Sequence, residues 1–318
     1  MSLLSTLTNG ASRLTRLAAG AALGLGLAAG FAPEAAFAQA VEAPAAQATT
    51  AASPALWVLR DADSTIYLFG TVHLMRPGVE WMTPTVTEAF DGSDELWLEI
   101  ENPADQAGAA PLIMQLGVSP QTPLSSLLTA EEFAELDRAA QTIGLSGAAM
   151  DPMRPWLAAL TLSVAPLQAA GFDPNAGIDM VLRGHAIEAG RPVQGLETME
   201  QQFRIFSSMP EEDQLAFLRD ALGSFDQAVA IVDQMAGHWS AGDPDGLYAV
   251  GGAEMKTTYP ALYDAILTNR NTDWANQIQT EMEGSGTVFI AVGALHLAGP
   301  DSVQAILDAR GVTAERLQ

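Results

Sequence analysis

The chain has 318 residues, no cysteine, and 38 acidic against 14 basic side chains, which gives a formal net charge of −24 at pH 7. A chain this negative repels phosphate backbones and anionic lipid, so nucleic acid and membrane surfaces are excluded as favoured partners. Because no disulfide can form, a hydrophobic core alone must stabilise the fold.

The first 38 residues have the pattern of a secretory signal peptide. Arg13 and Arg16 precede an apolar stretch at 17–31, and an Ala-x-Ala cleavage site follows at 36–38. This stretch is shorter than the roughly 20 residues that cross a bilayer, so an uncleaved anchor is the less favoured alternative. We predict export by the general secretory route, with no stable membrane anchor after cleavage. The destination is the periplasm if the source is Gram-negative, and otherwise the outside of the cell.

The remainder is predicted to be a disordered linker at 39–54, rich in alanine and proline, and a single domain at 55–318. The domain begins with β-strands and turns. The elements predicted there are a β-hairpin at 56–59 and 65–69, a short helix at 84–90 and a strand at 96–101.

From about residue 103 to about 283 the pattern is mostly helical. A capping box opens a helix at 129–143, and a short strand is predicted at 192–195. Further amphipathic helices are predicted at 154–169, 178–189, 211–235, 244–250, 260–267 and 272–282. The chain closes with a strand at 287–292 and a helix at 302–309.

These elements predict an α/β fold whose central sheet is built from β-rich N- and C-terminal ends, with a large helical insertion between them. The two ends resemble each other, which indicates either an internal duplication or two halves of one sheet that meet at its centre.

The same short phrase follows a strand near each end of the domain. It is Gly-x-x-His-Leu, at residues 70–74 and 293–297, and it contains two of the four histidines, His73 and His296. Each alone is more often a structural histidine, but open α/β sheets build their sites just beyond strand ends. Imidazole nitrogen suits a divalent metal or a proton shuttle.

Carboxylates and one arginine extend this set of candidates. Glu99 lies in an apolar strand, where a carboxylate is awkward to bury unless it meets a metal, a cation or substrate; a solvated edge strand is the alternative. Glu197 lies at a strand-to-helix junction, where it can also cap the helix. Arg270 and Asn271 precede a predicted helix, so they are either cap and surface residues or groups that stabilise an oxyanion.

Several common sites are missing from the sequence. It contains no His-Glu-x-x-His, no Walker loop, no Gly-x-Ser-x-Gly and no Gly-x-Gly-x-x-Gly. The other histidines, His185 and His238, lie outside the repeated phrase and are read as structural or surface residues.

The ordered set of motifs resembles the TraB/GumN family, which is related to the Tiki metalloproteases and to erythromycin-esterase-like and ChaN-like proteins. The resemblance spans the chain from about residue 56 to the end. It rests on the segments 68–73, 98–101, 153–157, 177–179, 192–198, 269–271 and 292–296.

The resemblance implies an α/β fold and a metal-dependent hydrolytic site. It implies that His73, Glu99 and His296 bind the metal or act as acid and base, supported by Glu197 and the pair Arg270 and Asn271. The expected cofactor is a divalent metal, and manganese, cobalt, iron and zinc are not distinguishable from the donor types.

The resulting hypothesis is an exported hydrolase of peptide or related amide or ester bonds, with a peptide or small-molecule substrate. The alternative is a non-catalytic protein that binds haem, metal or peptide in the same cleft. The sequence does not give the oligomeric state.

Overall fold

The computed structural model describes residues 51–318. The predicted leader and most of the predicted linker lie outside the described residues. The end of the linker is part of the folded body, because Ala52 is buried and donates its N–H to the carbonyl of Glu80, while Ser53 donates to the carbonyl of Ser240.

Six strands form one mixed sheet among the described residues. The strands are β1 (Leu56–Arg60), β2 (Ser64–Thr71), β3 (Glu95–Leu98), β4 (Val193–Gly195), β5 (Gly286–Gly293) and β6 (Glu315–Arg316). Their order across the sheet is β4-β3-β5-β2-β1-β6. The predicted hairpin is confirmed, since β1 pairs antiparallel with β2. The α/β class with strands from both ends of the chain is therefore confirmed.

The two ends of the chain meet at the centre of this sheet. β2 and β5 are adjacent and parallel, with Gly70 opposite Val292 and Thr71 opposite Gly293. β3 pairs with the other side of β5, also parallel. Parallel neighbours end at the same edge of a sheet, so the segments that follow β2, β3 and β5 are brought together.

Two apolar cores cover the two faces of the sheet. Phe69 and Phe289 belong to the larger core, and Leu68 and Ile290 belong to the smaller one. Successive strand residues point to opposite faces, so strands covered on both sides must be apolar throughout. This explains why β2 and β5 are continuous apolar runs and not alternating ones.

The helices occupy mainly the segment between β3 and β5. They are α1 (Pro84–Asp91), α2 (Gln106–Gly117), α3 (Leu124–Leu127), α4 (Ala130–Thr142), α5 (Gly147–Met150), α6 (Pro155–Ala169), α7 (Ile178–Glu188), α8 (Met199–Ser207), α9 (Glu211–Ser224), α10 (Ala228–Ser240), α11 (Pro244–Gly251), α12 (Ala253–Thr258), α13 (Pro260–Tyr263), α14 (Asn269–Glu281) and α15 (Val303–Ala309). The predicted helix at 211–235 is two helices, because a 3₁₀ turn at Phe225–Gln227 separates α9 from α10.

Helix α6 is the central helix of the larger core. Eleven of its fifteen residues are buried, and Trp156 stacks on Phe206 with ring centroids 6.1 Å apart. In the described part of the chain, no helix combines the length and the apolar character that a membrane crossing needs.

Candidate functional site

The residues of the repeated phrase and Glu99 meet at the edge of the sheet where β2, β3 and β5 end. His73 lies two residues beyond β2, Glu99 directly follows β3, and His296 lies in a 3₁₀ turn at Ala294–Leu297 beyond β5. This is the edge at which open parallel sheets bind their ligands. The sheet topology thus brings together side chains that are far apart in the sequence.

Glu99 lies between the two histidines. The Nε2 atoms of His73 and of His296 each lie 3.7 Å from Glu99 Oε1. All three residues are buried, with at most 3% of their surface exposed. A carboxylate in such a place needs partners, because burial of an unpaired charge is costly.

Three donors hold the Glu99 carboxylate. The backbone N–H of Gly293 donates to Oε1 at 2.7 Å, while Arg270 Nη2 and Gln202 Nε2 donate to Oε2 at 2.6 Å and 3.0 Å. Burial alone would raise the pKa of Glu99, but Arg270 and the two histidines outweigh it and hold the pKa well below its usual range. The glycine of the second phrase therefore anchors the glutamate that faces both histidines.

Arg270 is the cation at the centre of the site and not a surface arginine. It is 5% exposed, and it forms an ion pair with Glu197 as well as with Glu99. Its Nη1 lies 2.9 Å from His296 Nε2 and donates to the carbonyl of Ile266 at 3.1 Å. Both carboxylates raise the pKa of the guanidinium against the opposing effect of burial.

The helix that carries Arg270 does not begin with a capping residue. A π-helical turn at Asp264–Thr268 runs directly into α14, so Asn269 continues a helix that is already formed. The prediction of a helix N-terminus at 269–271 is therefore wrong, because the preceding segment is helical too. Wider π turns occur often at functional sites, and this one offers the Ile266 carbonyl to Arg270.

Asn271 fixes the ring of His296. The Oδ1 of Asn271 lies 2.5 Å from His296 Nδ1, and its Nδ2 donates to the carbonyl of Asp301 at 2.7 Å. The Trp274 ring packs against the imidazole with centroids 4.4 Å apart. Since an amide oxygen can only accept, the proton of His296 is placed on Nδ1 and the lone pair of Nε2 faces Arg270.

His73 has a partner that the sequence analysis missed. Asp179, in the first turn of α7, places Oδ1 3.1 Å from His73 Nδ1, and 5% of Asp179 is exposed. Burial would lower the pKa of His73, but the carboxylates of Asp179 and Glu99 outweigh it and raise the pKa to about 10. An acidic residue in a first helical turn is ordinarily explained by the helix dipole, so the only signal was that Asp179 lies in the segment 177–179, which belongs to the motifs that carry the resemblance.

Glu197 joins the site, although it does not cap the following helix. Thr198 is the N-cap of α8, in a capping box with Gln201. The Glu197 carboxylate instead contacts Arg270 and accepts from Gln202 Nε2 at 2.7 Å. Burial raises the pKa of Glu197 above its usual value, although Arg270 opposes the rise. Gln202, which is completely buried, is the second residue that the sequence did not indicate.

These side chains together form what we call the polar cluster. Its members are His73, Glu99, Asp179, Glu197, Gln202, Arg270, Asn271 and His296. All six residues predicted for the site belong to it. Three carboxylates and one guanidinium surround the histidines, and this surplus of negative charge favours the protonated form of His73.

The other polar candidates lie outside the cluster. Strand β3 ends at Leu98, before the predicted end at 101, so Glu101 is not part of the strand. Glu101 is exposed and lines a neighbouring cleft. His185 is exposed on α7, and His238 pairs with Asp243 at 2.8 Å.

The cluster borders a cleft of about 610 Å³, which we call the acidic cleft. It is lined by residues 100–102 and 195–201 and by Asp105, Gly108 and Leu112. Glu197 belongs both to the lining and to the polar cluster. It is therefore the point at which a molecule in the cleft would meet the buried groups.

The donor types of the cluster suit a divalent metal ion. His73 Nε2 is buried and has no hydrogen-bond partner among the described residues, and Asp179 faces its other nitrogen, as a carboxylate often does behind a metal-bound histidine. In their present positions, however, the described residues form no group of three or more His, Asp or Glu side chains that could hold a metal. Arg270 already contacts two of the atoms that would bind a metal, His296 Nε2 and Glu99 Oε2. An ion at Glu99 therefore requires Arg270 to release His296.

Comparison with known proteins agrees with this arrangement of motifs. The family model described as TraB/PrgY/gumN matches residues 55–316. The uncharacterised protein YbaP of Escherichia coli (strain K12) is 26% identical over 265 residues, covering 80% of this chain and 92% of its own length. YbaP of Shigella flexneri has the same identity and the same coverage.

A more distant relative comes from a spirochaete. An uncharacterised protein of Treponema pallidum (strain Nichols) is 22% identical over 272 residues, which cover 80% of each chain. No solved structure matches this chain significantly. Since the family model covers nearly the whole described domain, the chain belongs to the TraB/PrgY/gumN family.

Proposed function

We propose that this protein is an exported hydrolase that cleaves peptide or related amide or ester bonds with the help of a divalent metal ion. The observation that carries the proposal is the convergence of His73, Glu99 and His296, from three strand ends, in one buried cluster beside a cleft. Export rests on the leader pattern of the first 38 residues.

His73, His296 and Glu99 are the residues that would hold the ion, which could be manganese, cobalt, iron or zinc. A bound ion of this kind lowers the pKa of a coordinated water and polarises the carbonyl of the substrate. Asn271 and Asp179 would keep the two imidazole rings in their orientation through the nitrogens that face away from Glu99.

Glu197 is the best-placed group to move a proton. It is the member of the polar cluster that lines the cleft, and its raised pKa brings it nearer to the working pH of an acid or base. We infer that Glu197 takes a proton from the attacking water and returns it to the leaving group. Arg270 holds Glu197 and Glu99 in place and supplies positive charge near the oxyanion that develops.

The test begins with protein purified without chelators and analysed for bound metal. Cleavage of a peptide library is then measured with added manganese for the wild type, His73→Ala and His296→Ala. His185→Ala is the matched control, since it removes an exposed histidine that lies outside the cluster. We expect bound metal and cleavage in the wild type and the control, and loss of both in the two cluster variants.

Other results of this experiment would refute the proposed mechanism or support a different function. If both cluster variants retain metal and cleave as well as the wild type, the proposed mechanism is refuted. A Soret band without cleavage would support the alternative of a haem-binding protein. Metal or peptide binding without turnover would support a non-catalytic binding protein that uses the same residues.

A further inference from the structure

The acidic cleft has a size suited to a peptide segment. Its volume of about 610 Å³ falls within the range of roughly 300–1,000 Å³ that is typical of ligand sites. Its walls come from the segments that follow β3 and β4 and from helix α2. Through Glu197 it reaches the polar cluster, so a ligand in the cleft lies against the groups that carry the proposed chemistry.

The charged side chains that line the cleft are all acidic. They are Glu101, Asp105, Glu197 and Glu200, and no lysine, arginine or histidine is among the lining residues. The carboxylate of Glu101 forms no ion pair or hydrogen bond within the described part of the chain, since Arg183 binds only its backbone carbonyl. Glu197 and Glu200 are paired with Arg270 and Arg204, so Glu101 and Asp105 carry the negative charge of the cleft that no arginine neutralises, and this charge attracts ligands of the opposite sign.

The polar cluster has an unused acceptor beside Glu197, the residue that it shares with the cleft lining. Gln202 is completely buried and donates its amide hydrogens to Glu99 and Glu197. Its Oε1 has no hydrogen-bond partner among the described residues. A buried acceptor without a donor costs free energy, so the groups around Glu197 favour a ligand that brings N–H donors.

Apolar surface accompanies these carboxylates. Ile100, Leu112, Leu196 and Met199 belong to the lining. Leu112 is the apolar side chain that helix α2 contributes, and only two of the twelve residues of this helix are buried. A ligand that matches the cleft therefore needs both positive charge and apolar groups.

We propose that the acidic cleft binds a peptide that carries lysine or arginine side chains next to apolar ones, and that such peptides are the substrates. Only the statement that these peptides are substrates rests on the proposed hydrolase function. Basic side chains pair with Glu101 and Asp105, apolar side chains contact Leu112 and the exposed face of α2, and backbone N–H groups face Glu197.

Binding is tested separately from cleavage. Fluorescence anisotropy of a labelled octapeptide of alternating lysine and leucine is compared with that of a glutamate and leucine octapeptide. The protein is the wild type and the double variant Glu101→Gln/Asp105→Asn, in which asparagine keeps the cap of α2. The matched control, Glu131→Gln/Asp226→Asn, removes two exposed carboxylates outside the cleft.

We expect the lysine peptide to bind the wild type and the control with equal affinity. It should bind the cleft variant about 3- to 10-fold more weakly, because two partly exposed ion pairs are lost. Salt should reduce this difference. Equal binding of the lysine and glutamate peptides, or equal binding by the cleft variant and the control, would overturn the proposal. So would spermine binding as tightly as the peptide, because the cleft would then select charge alone.

The two proposals fail in different ways. If the lysine peptide binds in the cleft but no peptide is cleaved by metal-loaded protein, the hydrolase function is refuted and the binding specificity stands. If peptides are cleaved with no preference for basic residues, the hydrolase function stands and the substrate class is refuted.

Discussion

Replacing Arg270 by methionine tests whether the polar cluster is held together by this one cation. Methionine retains the length and the apolar stem of the side chain but removes the guanidinium, which leaves Glu99 and Glu197 buried without their main partner. Removing one member of a buried ion pair costs about 3–5 kcal/mol, because the other charge stays desolvated. We expect Arg270→Met to lower the free energy of unfolding by that amount at pH 7.

The matched control is Arg204→Met. Arg204 pairs with Glu200 at 2.7 Å, but its side chain is 52% exposed and the pair lies four residues apart along α8. Exposed pairs of this spacing contribute about 0.3–0.5 kcal/mol. Urea unfolding followed by circular dichroism measures both variants on the same scale.

The pH dependence of this loss of stability tests whether the stranded carboxylates cause it. Because the pKa of Glu99 is lowered in the folded protein, its stabilising effect is present above its unfolded value of about 4.5 and is lost as the pH falls below it. The difference between the wild type and Arg270→Met should therefore be largest near pH 7 and shrink toward pH 4. Glu197→Gln added to Arg270→Met should restore part of the lost stability, since one stranded charge is then gone.

Two results would refute this reasoning. One is an Arg270→Met variant that loses no more stability than Arg204→Met. The other is a loss of the expected size that does not change between pH 7 and pH 4, because it would then come from packing and not from stranded carboxylates.

Two further predictions concern the surroundings of His73. Asp179→Asn should lower the pKa of His73 from about 10 toward 6.5, measured by NMR titration of the His73 ring, and an unchanged titration would contradict the pairing. The same variant should lose the stability that this pairing contributes, which in the wild type is complete below pH 6.5 and fades toward pH 10. Gly177→Ala should lower the free energy of unfolding by about 1–3 kcal/mol, because the new Cβ would lie 2.4 Å from the His73 carbonyl oxygen. Gly184→Ala lies within helix α7, which Gly177 precedes, and has no atom within 4 Å of the new Cβ, so it should instead stabilise by up to about 1 kcal/mol in the same urea assay. Similar results for the two alanines would exclude the close contact as the cause.

Much of the secondary structure near the site was predictable from local pattern. The hairpin and β5 are runs of strand-forming residues bounded by turns, and the short strand at Val193–Gly195 was also predicted. The Gly-x-x-His phrase correctly marked the points where two strands end. A carboxylate within an apolar strand indicated Glu99, and the position after a strand indicated Glu197, although their partners were not predictable.

The errors arose where one local pattern fits two structures. Residues 269–271 look like the start of a helix, but the π turn before Asn269 makes the helix continuous. Glu197 looks like a cap, but Thr198 has the better geometry for it. The predicted strand that ends in Leu-Glu-Ile-Glu is three residues too long at its end, because the pairing of β3 with its neighbouring strands ends at Leu98.

The amino-acid sequence by itself determined the class of fold, the ends of β2 and β5 and the residue types available for chemistry, because periodicity and turn chemistry act over a few residues. Only the tertiary structure decided which of these residues share one site. Glu99 and Gly293 are 194 positions apart and meet only because β3 and β5 are parallel neighbours. Asp179 and Gln202 gave no local signal, since a polar residue near a helix start is ordinary until packing buries it against a histidine or a carboxylate.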